Sequence, residues 1–182
     1  MSPAPHDPRP LTGEPLSLDL LNTRWIEDGQ PRDLLAGTDG LAVWLAANGL
    51  DDGRFTADDP TLRHTLQTRD ALLAVVDGSL TEGASRVDAV LEKGRIRATL
   101  TADGGGERAE FADASWGPGW LAARNYLELL GTAPDRIRHC AHEACVLHFF
   151  DTSRNGTRRW CSMAACGNRA KASRHYSRSK DA

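Results

Sequence analysis

The sequence predicts an α+β protein in two unequal parts: a mainly helical N-terminal domain with one small β-hairpin, and a short C-terminal module organised by its cysteines. Three observations predict it. Apolar residues recur at three- and four-residue steps through most of the N-terminal part. The stretch from Arg95 to Phe111 alternates instead, around a run of glycines. All four cysteines lie between Cys140 and Cys166, and none precedes them. A chain of 182 residues has room for one ordinary domain and a small attachment, and an attachment with so little apolar core relies on a metal or on disulfides to stay folded.

Residues 1–10, rich in proline, read as a disordered lead-in. A short helix then opens near Pro15, with Leu18, Leu21 and Trp25 on one face, and Gly29-Gln30-Pro31 ends it. Thr38 or Asp39 caps a second helix that carries Leu41, Trp44 and Leu45 and stops at Asn48-Gly49. From about Pro60 to Asp77 runs a long helix, with proline in its first turn and Leu62, Leu66, Leu73 and Val76 as its apolar positions. Val87, Val90 and Leu91 indicate another. Beyond Gly94, the segments Arg95–Thr101 and Glu107–Phe111 read as two strands joined by a turn at Asp103-Gly104-Gly105-Gly106. Pro118 to Leu130 returns to helix and offers Trp120, Tyr126, Leu127 and Leu130 to the core. Gly131 to Pro134 marks a boundary, which gives domains at 11–133 and 134–182.

Charge divides at the same place. Ten Arg or Lys against four Asp or Glu give residues 134–182 a net charge of +6, which leaves −9 for residues 1–133 of a chain whose total is −3. Such asymmetry points to an anionic partner for the basic end. No apolar run resembles a signal-peptide core or a membrane span, so the expected location is cytoplasmic, where thiols stay reduced and clustered cysteines favour metal over disulfide.

The cysteines form two C-x4-C pairs, Cys140/Cys145 and Cys161/Cys166, separated by fifteen residues. Two such pairs can converge on one tetrahedral zinc ion, and four thiolates leave no position open for catalysis, so the site is expected to be structural. His139, His142 or His148 could replace a cysteine as ligand, and disulfides or a catalytic zinc are further alternatives. Five positions on a helix amount to about 140° of rotation. Cys161 should therefore precede a helix, with Ser162 as its cap and Cys166 in its first turn. Between the pairs, residues 146–150 and 158–160 read as a hairpin around a turn at Ser153–Gly156, which makes the whole a treble-clef-like module. Phe149 and Trp160 are expected to pack beside the metal rather than to stack on bases.

If the segment after Cys166 is helical, Asn168, Lys171, Arg174, His175 and Arg178 share an arc of about 120°. Arg and Lys neutralise phosphates, and Arg and Asn are the residues that read guanine and adenine in the major groove. Arg154, Arg158 and Arg159 extend the positive surface. The candidate DNA contacts are thus Arg158, Arg159, Asn168, Arg169, Lys171, Arg174, His175 and Arg178. A merely solvated helix and a protein-docking module are the competing readings.

The string from Phe150 to Lys171, which contains Cys166-Gly167-Asn168-Arg169, closely resembles the CGNR zinc-finger family, and Cys140 and Cys145 match upstream. Leu18-Asp19-Leu20-Leu21-Asn22-Thr23, with Trp44, resembles the opening of the ABATE domain that precedes this finger. The resemblance implies a bacterial, stress-induced transcriptional regulator whose finger binds double-stranded DNA through one structural zinc. It also implies a front domain that senses a condition or a small-molecule effector. A small finger would gain affinity as a homodimer. Glu14, Asp19, Asn22 and Arg24 form a polar cluster that caps and surface charge account for. With no phosphate loop, nucleophile elbow or paired-carboxylate motif, the chain is not expected to be an enzyme.

Overall fold

A computed structural model describes residues 6–169 of the chain. Pro15 precedes a short helix, α1 (Leu16–Leu21), most of whose side chains are buried. Asp28 and Gly29 then adopt φ of 50° and 75°, the paired left-handed conformation of a two-residue hairpin turn. They join β1 (Arg24–Glu27) to β2 (Gln30–Asp33). Trp25, expected on the helix, therefore belongs to a strand, and Pro31 lies on an exposed edge strand, where its missing N–H is tolerated.

Helix α2 (Thr38–Ala47) buries Leu41, Trp44 and Leu45 and ends at Asn48-Gly49 as predicted. The Asp58 carboxylate caps α3 (Asp59–Leu73) by accepting the Thr61 amide at 2.9 Å. The fully buried face of α3 is Thr61, Thr65, Thr68, Arg69, Ala71 and Leu72, with Leu62, Leu66, Leu73 and Val76 packed at its margin. Close helix contact explains this inversion of the expected face: a Cβ on Gly119 would sit 2.4 Å from the Thr68 hydroxyl, so only small residues fit there. The helix does not continue regularly to Asp77, because a wide turn at Ala74–Gly78 replaces its end. It leads to α4 (Leu80–Leu91), which buries Val87 and Val90.

The predicted second hairpin is present as β3 (Gly94–Thr101) and β4 (Gly104–Phe111). Thr101 pairs with Gly104, so the turn is Ala102-Asp103 and the glycines lie in the strand. Helix α5 (Gly117–Thr132) buries Trp120 and Tyr126, whereas Leu127 is 45% exposed. The five helices enclose one apolar core that includes Leu18, Trp44, Leu72 and Val90. Among the described residues, no helix is long and apolar enough to cross a membrane.

The lead-in is not loose at its described end. Arg9 is buried, with Nη1 2.7 Å from Asp19 Oδ1. The same carboxylate accepts Trp44 Nε1 at 3.0 Å, Asn48 Nδ2 at 2.9 Å and the Gly13 amide at 3.2 Å. Asp19, which surface charge was expected to explain, is instead the buried hub that ties the lead-in to α1 and α2. Removing Asp19 leaves buried Arg9 with only Asp7 as a carboxylate partner and strands the buried Trp44 N–H and one Asn48 N–H. Asp19→Ala is expected to destabilise the chain by about 3–5 kcal/mol in chemical denaturation; a loss within the range of surface substitutions would show that the hub carries no weight.

Candidate metal centre and basic surface

Strands β5 (Ile137–His139) and β6 (His148–Phe150) pair antiparallel, and the loop between them carries the first two cysteines. The Cys140 amide donates to the Leu147 carbonyl at 2.9 Å, and the Cys145 amide to His142 O at 2.9 Å, which folds the loop into a knuckle. The second pair is placed much as the spacing requires. Cys161 precedes a wide turn at Met163–Gly167, and the Ser162 hydroxyl accepts the Ala165 amide at 3.4 Å. Cys166 sits on that turn, and the Gly167 amide reaches the Ser162 carbonyl at 3.0 Å.

The four sulfurs all lie within 4.8 Å of one another, with Cys145 to Cys161 at 3.8 Å and Cys161 to Cys166 at 3.6 Å. A tetrahedral ion about 2.3 Å from each sulfur requires separations of about 3.8 Å, so the cluster has the dimensions of a zinc site. The clustered thiols also perturb one another strongly. Hydrogen bonding from Cys161, assisted by the Leu147 amide, pushes the Cys145 thiol down to about 5. The same interaction with Cys145 pushes the Cys161 thiol far up, and burial, with the neighbouring thiolate charge, raises Cys166 to about 12. Four thiolates at this spacing are compatible only with a positive ion among them. Cys140, Cys145, Cys161 and Cys166 would hold one zinc as a closed structural site. Among the described residues, no histidine joins the cluster: His148 Nε2 is 2.9 Å from Asp77 Oδ1, and His142 Nδ1 accepts the Ala144 amide at 3.2 Å.

The hairpin expected between residues 146–150 and 158–160 does not form. One edge of β6 is taken by β5, and side chains from the helical body occupy the other. Asn22 Oδ1 accepts the His148 amide and Asn22 Nδ2 donates to the His148 carbonyl, both at 2.9 Å. Glu14 Oε2 accepts the Phe150 amide at 2.9 Å. Residues 158–160 are drawn elsewhere: the Arg158 amide donates to Asp151 Oδ2 at 2.9 Å, and the Ala141 amide donates to Arg159 O at 2.8 Å. Trp25 lies in the same buried cluster as Cys140, Leu147, Phe149, Cys161 and Cys166. Phe149 thus packs beside the metal site as expected, and the body supplies one wall. Composition gave no sign of these roles for Trp25, Asn22 and Glu14; only the Asp28-Gly29 turn could have placed Trp25 on a strand.

The basic surface is reached in part. Arg159 is exposed, its guanidinium 5.3 Å from the Trp160 ring centre, and Asn168 and Arg169 are exposed at the far end of the described residues. Asn168 Nδ2 returns to the Ala164 carbonyl at 3.4 Å. Arg158 departs from the expected role. Its guanidinium donates to the Trp160 and Cys161 carbonyls and lies 4.2 Å from the Phe149 ring centre, so it braces the metal centre. Lys171, Arg174, His175 and Arg178 lie outside the described residues.

Comparison with known families now places the chain. The family model described as "Putative stress-induced transcription regulator" (ABATE) matches residues 14–133, and that of the CGNR zinc finger matches residues 136–179. The chain belongs to the ABATE family and carries a C-terminal CGNR zinc finger. Among curated proteins, none matches it.

Because the thiol protons of Cys161 and Cys166 are held well above neutral pH, zinc must displace them on binding. Affinity is therefore expected to rise with pH through the neutral range and to fall as pH drops, most steeply once Cys145 also protonates near 5. Competition with a chelating dye, corrected for the dye's own titration, measures this; a pH-independent affinity would contradict a thiolate site.

Proposed function

We propose that the protein is a zinc-dependent transcriptional regulator whose CGNR finger binds double-stranded DNA and whose ABATE domain senses a condition or small effector. The observation that carries the reading is the concentration of positive charge on the zinc-bearing segment, +6 over residues 134–182 against −9 for the body. Arg159, Asn168 and Arg169 open this surface next to the metal centre, and the sequence continues with Lys171, Arg174, His175 and Arg178. Zinc acts through folding: the ion holds the knuckle and the Met163–Gly167 turn together, and the turn starts the basic segment. An acidic body keeps non-specific association low, so the basic face docks selectively. A cytoplasmic location, a homodimer on DNA and a non-enzymatic role all accord with this reading.

One observation favours a second reading, a zinc-stabilised protein-interaction module. Met163 is 52% exposed beside Trp160, on an open groove of about 580 Å³, and an exposed, flexible thioether adapts to the apolar side chains of a partner.

Duplex DNA binding across a salt series separates the two. On the regulator reading, affinity falls steeply with salt, and Lys171→Ala/Arg174→Ala/Arg178→Ala lowers the log–log slope by about 0.9 for each phosphate that is no longer neutralised. Arg158→Ala, by contrast, is expected to weaken zinc retention, because its guanidinium serves the metal centre. Zinc-loaded protein with no DNA affinity at low salt would overturn the regulator reading in favour of the interaction module.

A further inference from the structure

Two of the three hairpins have defended edges. Beside β6, Asn22 and Glu14 take the open backbone positions, and on β2 Pro31 removes one donor from an exposed edge. The third hairpin, β3 with β4, is the longest, with eight residues to a strand in unbroken register, and β3 carries neither proline nor bulge. Among the described residues, only β4 hydrogen-bonds to the backbone of residues 95–101.

The register fixes what that free edge presents. Thr101 and Gly104 close the two-residue turn as a hydrogen-bonded pair, and bonded and non-bonded pairs alternate from there. Thr99, Arg97 and Arg95 therefore turn their amides and carbonyls towards β4, and Leu100, Ala98 and Ile96 turn theirs outwards. The same three apolar residues share one face of the sheet, with Ala109 and Phe111 of β4. Leu100 is 86% exposed, and the residue opposite it is Gly105, which offers no side chain to pack on. The arginines of β3 lie on the other face, where Glu110 pairs with both Arg95 and Arg97.

We propose that the β3 edge pairs with the β3 edge of a second copy of the chain, antiparallel about a two-fold axis at Ala98. Such an axis sets each strand against itself, so the free groups meet only if the register centres on an outward residue. Centred on Ile96, Arg95 of each copy would face Arg97 of the other, like charges directly opposite. Centred on Leu100, the pairing would run into the turn at Ala102-Asp103 and leave Ile96 without a partner strand. Centred on Ala98, Arg97 faces Thr99 and Arg95 faces Thr101 of the second copy, Leu100 lies beside the second copy's Ile96, and every outward amide and carbonyl from Ile96 to Leu100 is paired. The charge pattern thus selects one register of self-association. The β4 edge is poorer, because its middle outward residue, Glu107, would face its own copy.

The pairing deepens the regulator reading and rests on it for its use: two chains joined here bring two fingers to one duplex, and each finger then needs less affinity of its own. A single strand pair with one apolar row is small for a specific interface, under about 1,200 Å², so the dimer is reversible.

Sedimentation equilibrium of the zinc-loaded full chain, without DNA, is the test. The weight-average mass is expected to climb from the one-chain towards the two-chain value between about 1 and 100 µM, as a small, transient interface implies. Ala98→Pro should hold the chain at the one-chain mass without loss of helical circular dichroism, since the amide it removes points away from β4. Leu100→Glu should weaken association at least about tenfold, and Leu80→Ser, at the far end of α4 and 58% exposed, should leave it unchanged. Ala98→Cys, with the native thiols held by zinc, should cross-link two chains under mild oxidation, because opposed Cα atoms in such a pair are about 5.5 Å apart; Thr101→Cys should not. A chain that stays single at about 100 µM, association that survives Ala98→Pro in folded protein, or equal cross-linking at both positions would each overturn the proposal. DNA is absent throughout, so a failure here removes the dimer while the salt series decides DNA binding separately.

Discussion

The pairing of the Asn22 side chain with the backbone of His148 is the contact on which the arrangement of the molecule depends. A strand of three residues with one partner leaves its second edge open, and buried N–H and C=O groups without partners cost more than most side-chain contacts return. Asn22 closes that edge as a neighbouring strand would, with one amide donor and one acceptor in the same plane, and Glu14 closes the next position. Because both residues belong to the first segment of the helical body, the strand that carries one side of the knuckle is completed only when the body is folded beside it.

The metal site is bound to the same requirement. Trp25 walls the thiol cluster from the body's side, and Phe149 fills it from the finger's, fully buried; burying a side chain of that size contributes ~1.5–3 kcal/mol. Arg158, between the Phe149 ring and the carbonyls around Cys161, braces the second cysteine pair. The thiol cluster is thus packed directly against the helical body. The polar residues of the segment Leu18–Thr23 acquire a physical meaning here: Asp19 gathers the lead-in and α2, Asn22 completes β6, and Thr23 receives Arg69 at 2.9 Å.

What the sequence made legible, and what it hid, follow from how local each interaction is. Helix ends were readable because first-turn and stop residues act within three or four positions, as at Pro60 and Asn48-Gly49. The thiol cluster was readable because metal geometry limits ligand spacing, and the position of Cys161 ahead of the Ser162 cap followed from helical rotation alone. The first hairpin was obscured because leucine spacing across Leu18, Leu21 and Trp25 imitates a helix that in fact ends at Leu21. Residues 158–160 were misread as a strand because the partner that displaces them, Asn22, lies 126 positions from His148 in the chain. Arg158 read as a phosphate ligand because charge shows in a sequence and the carbonyls that consume it do not.

Thermal unfolding of the full chain by calorimetry and far-ultraviolet circular dichroism, with zinc bound and after its removal by a chelator, tests the joint most directly. If body and finger are one cooperative unit, the zinc-loaded protein unfolds in a single transition, removal of the ion lowers the melting temperature of the helical signal itself, and Asn22→Ala lowers it in the zinc-loaded state. A helical transition that keeps its midpoint when zinc is stripped, with a separate and smaller transition for the finger, would contradict the account.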